Sequence, residues 1–172
     1  PKVVVEHFLT NHGLWPLTCA PWAITQMKPG GVAILPQNQD LMDDNPTLPN
    51  RTITLWPYTQ INNPYITWGD AFIQVRAEMT AGMLKIGFPN PRGWLAYWIN
   101  GILFKKTVNP QINARYPDNN CNTEIYCNED FIELESLAPF VQLSPGESVK
   151  HIERWKISTS LPANLKDLIN KI

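Results

Sequence analysis

Two glutamates that stand two residues apart, Glu133 and Glu135, lie in segment 131–135, which has the composition of a β-strand. Side chains alternate between the faces of a strand, so both carboxylates are expected on one face, about 6.5–7 Å apart at the backbone. Carboxylates at this spacing can raise each other's pKa, bind a cation or hold sugar hydroxyls. If the preceding strand, residues 123–127, is a neighbour, Glu124 joins them. The solvent-facing side of an ordinary sheet would show the same spacing.

A second group of candidate residues is aromatic and surrounds a loop at residues 59–70. Trp56, Tyr58, Tyr65 and Trp68 lie close together in the sequence, and Arg51 precedes them. Aromatic faces can stack on the apolar faces of pyranose rings, while an arginine can donate hydrogen bonds to hydroxyls. Large aromatic residues also serve as core and as loop anchors. The group therefore predicts either the rim of a binding site or part of the sandwich core.

Composition and motifs exclude several classes of function. A formal net charge of -1 gives no basic surface for nucleic acid, and no apolar run approaches the roughly 18 residues of a membrane span. There is no Gly-rich phosphate loop and no G-x-S-x-G motif. We therefore expect neither nucleic acid nor membrane as a partner, and no cofactor.

Histidine and cysteine spacing predicts no metal site. His7, His12 and His151 are scattered along the chain, and the C-x5-C spacing of Cys121 and Cys127 is not a familiar zinc pattern. These two cysteines could pair across a turn or remain small buried thiols. Three cysteines in all are too few for a disulfide framework.

The distribution of turn residues indicates an all-β fold. Sixteen prolines leave little room for long helices, because each proline removes a backbone donor and fixes φ. Asn100-Gly101 between two apolar runs is the strongest hairpin signal. Leu161, Leu165, Leu168 and Ile172 recur at helical spacing and predict a short C-terminal α-helix. The predicted strands are residues 3–10, 17–27, 32–35, 51–58, 71–78, 84–88, 94–99, 102–106, 123–127, 131–136, 141–143 and 148–158.

The length of the sequence and its first residues indicate how many domains to expect and whether the chain is part of a longer polypeptide. The 172 residues form one expected domain, 1–172. Because Pro1 is not Met and residues 2–5 have the composition of a strand interior, we expect the chain to be the C-terminal part of a longer polypeptide. Exposed edge strands would then pair with the missing N-terminal part or form a homodimer. The compartment is left open.

Three stretches carry a resemblance to a known family. FIELESLAPFVQLSPGESVKHIERWKI and HFLTNHGLWPLTCAPWAIT resemble the sandwiches of the galactose-mutarotase-like (aldose 1-epimerase-like) superfamily, in its C-terminal part. YPDNNCNTEIYCNEDFIELESLAP is similar to a bacterial group of mutarotase-like domains of unassigned function. The resemblance implies an antiparallel β-sandwich of the supersandwich type.

The resemblance also assigns roles to particular residues. Glu135 falls at the position of the general base that takes the proton of the anomeric hydroxyl. The position of the family's second-strand histidine, which protonates the ring oxygen, holds Trp22 in the run Ala20-Pro21-Trp22-Ala23. A tryptophan there suits stacking on a sugar better than proton donation. The substrate-binding residues that the resemblance and the spacing together indicate are Trp22, Arg51, Trp56, Tyr58, Glu124 and Glu133.

Three functional hypotheses follow from these residues. The first is a carbohydrate-active domain that binds or acts on a monosaccharide or an oligosaccharide end, with Glu135 as the base. The second is a non-catalytic carbohydrate-binding module that keeps the cleft and has lost the acid. The third is a structural sandwich whose acidic face binds a cation or a protein.

Overall fold

Fourteen strands lie within residues 1–38 and 49–159, the part of the chain that, together with Asp167, the computed structural model describes. Some strands bury both faces: Ala33 and Leu35 belong to one apolar cluster, and Ile34 between them belongs to another. The strands are β1 Lys2–Thr10, β2 Leu17–Cys19, β3 Trp22–Met27, β4 Val32–Pro36, β5 Thr54–Leu55, β6 Ile66–Thr67, β7 Phe72–Arg76, β8 Met83–Phe88, β9 Trp94–Ile99, β10 Ile102–Thr107, β11 Thr123–Asn128, β12 Ile132–Leu137, β13 Val141–Leu143 and β14 Ser148–Ser158.

Two sheets pack face to face. One has the order β1-β14-β10-β9-β4-β7-β6 and the other β3-β12-β11-β8-β5, while β13 and β2 form a small ribbon. Every pairing among them is antiparallel. Leu35, Val75 and Leu95 of the large sheet share one buried cluster with Ile125 and Leu134 of the smaller sheet. The predicted antiparallel β-sandwich is confirmed.

The predicted hairpin joins β9 to β10. Asn100 and Gly101 have φ of 50° and 75°, and Ile99 pairs with Ile102. Two successive residues at positive φ are what a type I′ turn requires, and its twist matches that of the flanking strands. The turn therefore fixes the register of the two strands.

The prediction of one strand over residues 17–27 is wrong. β2 ends at Cys19, β3 begins at Trp22, and the two pair with different partners, β13 and β12. Pro21 lies in the break, where it has no N–H to donate to a ladder. The strand predicted over 51–58 is likewise shortened to Thr54–Leu55, followed by Trp56 and Pro57.

The loop before β11 contains a four-residue helical turn, α1, Pro117–Asn120. Asp118, Asn119 and Asn120 have positive φ, which Asp and Asn tolerate better than most residues. Cys19, Cys121 and Cys127 are free thiols. The helix predicted over 161–172 lies outside the described residues. No helix in the described part of the chain is long and apolar enough to cross a membrane.

A buried polar network ties the two sheets together. Lys106 of β10 is fully buried and donates to the carbonyls of Ala23 and Leu134, at 2.9 and 3.0 Å. Its Nζ also lies 2.6 Å from Glu153 Oε1 of β14, which accepts a hydrogen bond from Ser136. Ala23 and Ser136 directly follow Trp22 and Glu135 in β3 and β12. The network therefore fixes the backbone of the two strands that carry these predicted site residues.

Candidate functional site

The strand register of the smaller sheet places two glutamates opposite each other. Glu124 of β11 pairs with Glu135 of β12, and both lie on the face that points away from the core. Neither side chain is exposed to solvent. Sequence spacing emphasised Glu133 and Glu135, but the structure pairs Glu135 most closely with Glu124, on the neighbouring strand.

Lys85 of β8 supplies the positive charge between these carboxylates. Its Nζ lies 2.8 Å from Glu124 Oε2 and 2.9 Å from Glu135 Oε2, and the residue is only 6% exposed. The indole Nε1 of Trp22 donates a second hydrogen bond to Glu135 Oε2, at 2.8 Å. We call Lys85, Glu124, Glu135 and Trp22 the lysine–carboxylate cluster.

Aromatic side chains surround the ammonium group of this cluster. Lys85 Nζ lies 4.5 Å from the centroid of the Trp22 ring and 4.7 Å from that of Trp56, distances at which a cation is attracted to the ring face. Trp22 is 50% exposed, so the indole reaches from buried Glu135 to the surface. Tyr58 is also exposed, and partial burial raises its pKa against the lowering effect of the Lys85 charge.

Three carboxylate oxygens of the cluster lack a well-directed hydrogen bond among the described residues. They are Glu135 Oε1 and both oxygens of Glu124, all of them buried. The 2.8 Å contact between Lys85 and Glu124 is a short ion pair whose geometry falls outside that of a directed hydrogen bond. Buried acceptors without donors are costly, so these oxygens are prepared to accept protons or hydroxyl groups.

The cluster holds two carboxyl groups against a single ammonium group. Burial raises the pKa of Glu124 to about 8, against the lowering effect of Lys85. Burial also raises the pKa of Glu135, opposed by Lys85 and by the Trp22 hydrogen bond. Burial alone would lower the pKa of Lys85, but the two carboxylates raise it overall. Because one ammonium group faces two buried carboxyl groups, the pair keeps a proton to a higher pH than an isolated glutamate would.

This protonation has a consequence for stability that Glu124→Gln should reveal. Between the ordinary value of 4.5 and about 8, folded Glu124 keeps a proton that the unfolded chain releases. Raising the pH through this window therefore favours unfolding, and we expect the melting temperature to fall. An amide does not titrate, so Glu124→Gln should flatten this decline in thermal melts measured from pH 5 to pH 9.

A matched variant tests this assignment of the pH dependence. Glu129 is exposed, so Glu129→Gln changes the same functional group without touching the cluster. It should keep the wild-type decline. An equally steep decline in Glu124→Gln would contradict the assignment.

Two other predicted site residues lie outside the cluster. Glu133 shares the strand face of Glu135, and its Oε1 accepts a hydrogen bond from Gln26 at 2.9 Å. Arg51 pairs with Asp70 at 3.5 Å and borders a separate depression that Trp68 also lines. The structure therefore brings together Trp22, Trp56, Tyr58, Glu124 and Glu135, with Glu133 beside them, and places Arg51 elsewhere.

Lys85 is the site residue that sequence reasoning missed. Its signal is a lysine within the otherwise apolar strand Met83–Phe88, where a buried charge requires partners. Gly87, two residues on, shares its face and pairs with Glu124. A Cβ there would lie 2.9 Å from Cys121 Sγ and 3.0 Å from Glu124 Cγ, so glycine leaves the space that the Glu124 side chain occupies.

Metal ligands do not converge in this region. Within residues 1–38 and 49–159, no group of three or more His, Cys, Asp or Glu side chains could hold a metal ion. In the lysine–carboxylate cluster the Lys85 ammonium occupies the place between the carboxylates that a cation would take. The geometry therefore favours proton chemistry and hydroxyl binding over metal binding.

Comparison with solved structures assigns the fold. The chain is similar to an Escherichia coli K12 protein named "Putative aldose 1-epimerase", with a TM-score of 0.52 and 13% identity over 92% of this chain and 56% of that one. It is also similar to the Slr1438 protein of Synechocystis sp. PCC 6803, with a TM-score of 0.50 and 12% identity over 92% and 51%. No protein-family model and no curated protein sequence matches the chain.

The fold of the chain is therefore galactose-mutarotase-like. This agrees with the family resemblance of the sequence segments around Trp22 and Glu135. The chain spans about half the length of the solved structures that it matches. At 12–13% identity the likeness defines the fold, and the activity of the domain has to be argued from its own residues.

Proposed function

We propose that this domain binds a sugar at the lysine–carboxylate cluster, with Glu135 as the general base and Trp22 as the surface on which the pyranose ring stacks. The observation that carries the proposal is the pairing of a buried, ionisable Glu135 with a half-exposed Trp22 through a 2.8 Å hydrogen bond. The mutarotase-like fold supports a carbohydrate as the ligand class. Tyr58 and Glu133 lie where they can bond further hydroxyls.

The protonation states of the cluster suit the removal of a proton from an anomeric hydroxyl. Glu135 Oε1 has no donor among the described residues, and burial raises the pKa of this carboxyl toward that of a useful base. The Trp22 indole has no proton to transfer at neutral pH. A proton for the ring oxygen would then come from Lys85 or from neutral Glu124, which both belong to the cluster.

A second candidate function is a non-catalytic sugar-binding module. The observation that favours it is the closure of the cluster: Glu135 is fully buried, and its Oε2 already accepts hydrogen bonds from both Lys85 and Trp22. Lys85 also contacts the inner faces of Trp22 and Trp56, which leaves the outer face of Trp22 for a ligand. In this case the cluster holds the indole in place and performs no proton transfer.

Tryptophan fluorescence titration with a panel of aldoses tests sugar binding. We expect at least one sugar to give a saturable change that Trp22→Ala abolishes. Trp15→Ala is the matched control, because Trp15 is 78% exposed on the loop between β1 and β2, and it should retain the change. A panel without any response, or a response equally lost in both variants, would argue against the site.

Polarimetry on the sugar that binds separates the two candidate functions. If Glu135 is the base, the chain should speed the interconversion of anomers, and Glu135→Gln should lose that rate enhancement while still binding. A wild-type chain that binds the sugar without changing the anomer exchange rate is a binding module.

A further inference from the structure

A groove lies along the loop between β10 and β11. Two cavities of about 170 and 200 Å³ share the wall residues Pro110, Gln111, Tyr116 and Asn122. Together they reach the lower end of the roughly 300–1,000 Å³ typical of ligand pockets. We call these two adjacent cavities the amide groove.

The charged residues that line the amide groove are all basic. Lys150 and Arg154 line one end, and no aspartate or glutamate is among the lining residues of either cavity. Lys150 is paired with Glu6 at 2.6 Å, while Arg154 makes no ion pair among the described residues. A third depression, which adjoins at Tyr116, adds Arg115. In a chain of net charge -1, this surface attracts anions.

The floor of the groove carries amide groups that are held by hydrogen bonds. Asn90 and Asn122 are buried and bond each other reciprocally, from Asn90 N to Asn122 Oδ1 at 2.7 Å and from Asn122 Nδ2 to the Asn90 carbonyl at 3.1 Å. The Tyr116 hydroxyl accepts a bond from the Gln111 N–H. The Gln111 side-chain amide has no partner among the described residues, and it can both donate to and accept from a ligand.

His151 adds a hydrogen-bond acceptor to the wall of the groove. Ser136 Oγ donates its proton to Glu153 Oε1, so the Oγ···Nε2 contact of 2.9 Å is donated by His151. Burial lowers the pKa of His151, which keeps the ring neutral, with its proton on Nε2. Its Nδ1 is then an acceptor for a hydroxyl group. The groove therefore combines cations for an anion with an acceptor and amides for hydroxyls.

We propose that the amide groove binds a sugar that carries a phosphate or carboxylate group, with Arg154 contacting the anion and Gln111 and His151 contacting hydroxyls. The basic residues of the groove, which has no Asp or Glu in its lining, suit the anionic group of the ligand. The neutral hydrogen-bonding groups suit its hydroxyls. The site is separate from the lysine–carboxylate cluster, because none of the four cluster residues lines either cavity.

Calorimetric titration of the chain with glucose 6-phosphate, glucuronate, glucose and inorganic phosphate tests the proposal. We expect saturable binding of glucose 6-phosphate, of glucuronate or of both, and the tighter of the two identifies the anion. Arg154→Gln should weaken that binding roughly tenfold, the usual effect of a lost hydrogen bond to a charged group. Lys156→Gln, an exposed cation two residues along β14 and outside the groove lining, should change it less than twofold.

Four outcomes would overturn the proposal: no saturable binding of either anionic sugar, equal affinity for glucose, equal affinity for inorganic phosphate, or equal weakening by Lys156→Gln. Loss of the binding in Trp22→Ala, the variant expected to abolish sugar binding at the lysine–carboxylate cluster, would also overturn it by placing the anionic sugar at the cluster. A failure of this proposal is therefore distinguishable from a failure of the sugar site at the cluster.

Discussion

Replacing Lys85 by methionine is expected to lower the free energy of unfolding by about 3–5 kcal/mol, the usual cost of removing one partner of a buried ion pair. The variant would leave Glu124 and Glu135 facing each other across β11 and β12 without a cation. Equilibrium denaturation in urea measures the loss. Since the free energy of unfolding of such a domain is about 5–15 kcal/mol in total, the variant should be only marginally stable.

Two further variants separate loss of charge compensation from loss of packing. Lys85→Met combined with Glu124→Gln and Glu135→Gln removes all three ionisable groups and should recover part of the lost stability. Lys28→Met makes the same substitution at an exposed lysine and should change stability by less than about 0.5 kcal/mol. A loss below about 1 kcal/mol in Lys85→Met would show that the carboxylates do not depend on this ammonium group.

Lys106→Met is expected to be about as destabilising as Lys85→Met, again roughly 3–5 kcal/mol in urea denaturation. Lys106 is fully buried, and its Nζ contacts Glu153, Thr25 and the carbonyls of Ala23 and Leu134. The variant would leave the buried Glu153 carboxylate uncompensated and two carbonyls without their donor. It should also loosen the backbone beside Trp22 and Glu135.

The partner substitution Glu153→Gln provides the control for Lys106. Adding it to Lys106→Met removes the uncompensated charge and should restore part of the stability, since charge imbalance is the main cost. Lys105→Met, at the adjacent residue, removes a lysine that lies over Trp94 and should cost much less. Equal losses in the two single lysine variants would mean that the inter-sheet network adds no particular stability.

The sandwich and part of the site could be predicted from sequence because both depend on local rules. Asn100-Gly101 determines a hairpin through its own backbone preferences, and side-chain alternation places Glu133 and Glu135 on one face. The same rules failed at residues 17–27, where alternation continues across Pro21 but the ladder cannot. Pro21 has no N–H to donate, so the strand is interrupted there although the neighbouring residues keep the alternating pattern.

The remainder of the site depends on sheet order, which local patterns do not encode. Lys85 meets Glu135 because β8, β11 and β12 are neighbours, and 50 residues separate the two side chains in the sequence. Arg51 shows the converse: it is close to Trp56 in the sequence, yet it pairs with Asp70 at another depression. Of the four aromatic residues grouped by sequence proximity, Trp56 and Tyr58 lie at the cluster, whereas Trp68 lines the depression beside Arg51.

A crystal structure of the chain soaked with a panel of aldoses is the most direct test of a sugar site at the lysine–carboxylate cluster. We expect density for a pyranose ring against the exposed face of Trp22, with a hydroxyl within hydrogen-bond reach of a Glu135 oxygen, about 2.6–3.2 Å. The assignment would be contradicted if sugars bound only at other surfaces while Lys85 and Trp22 kept their hydrogen bonds to Glu135 at every sugar concentration.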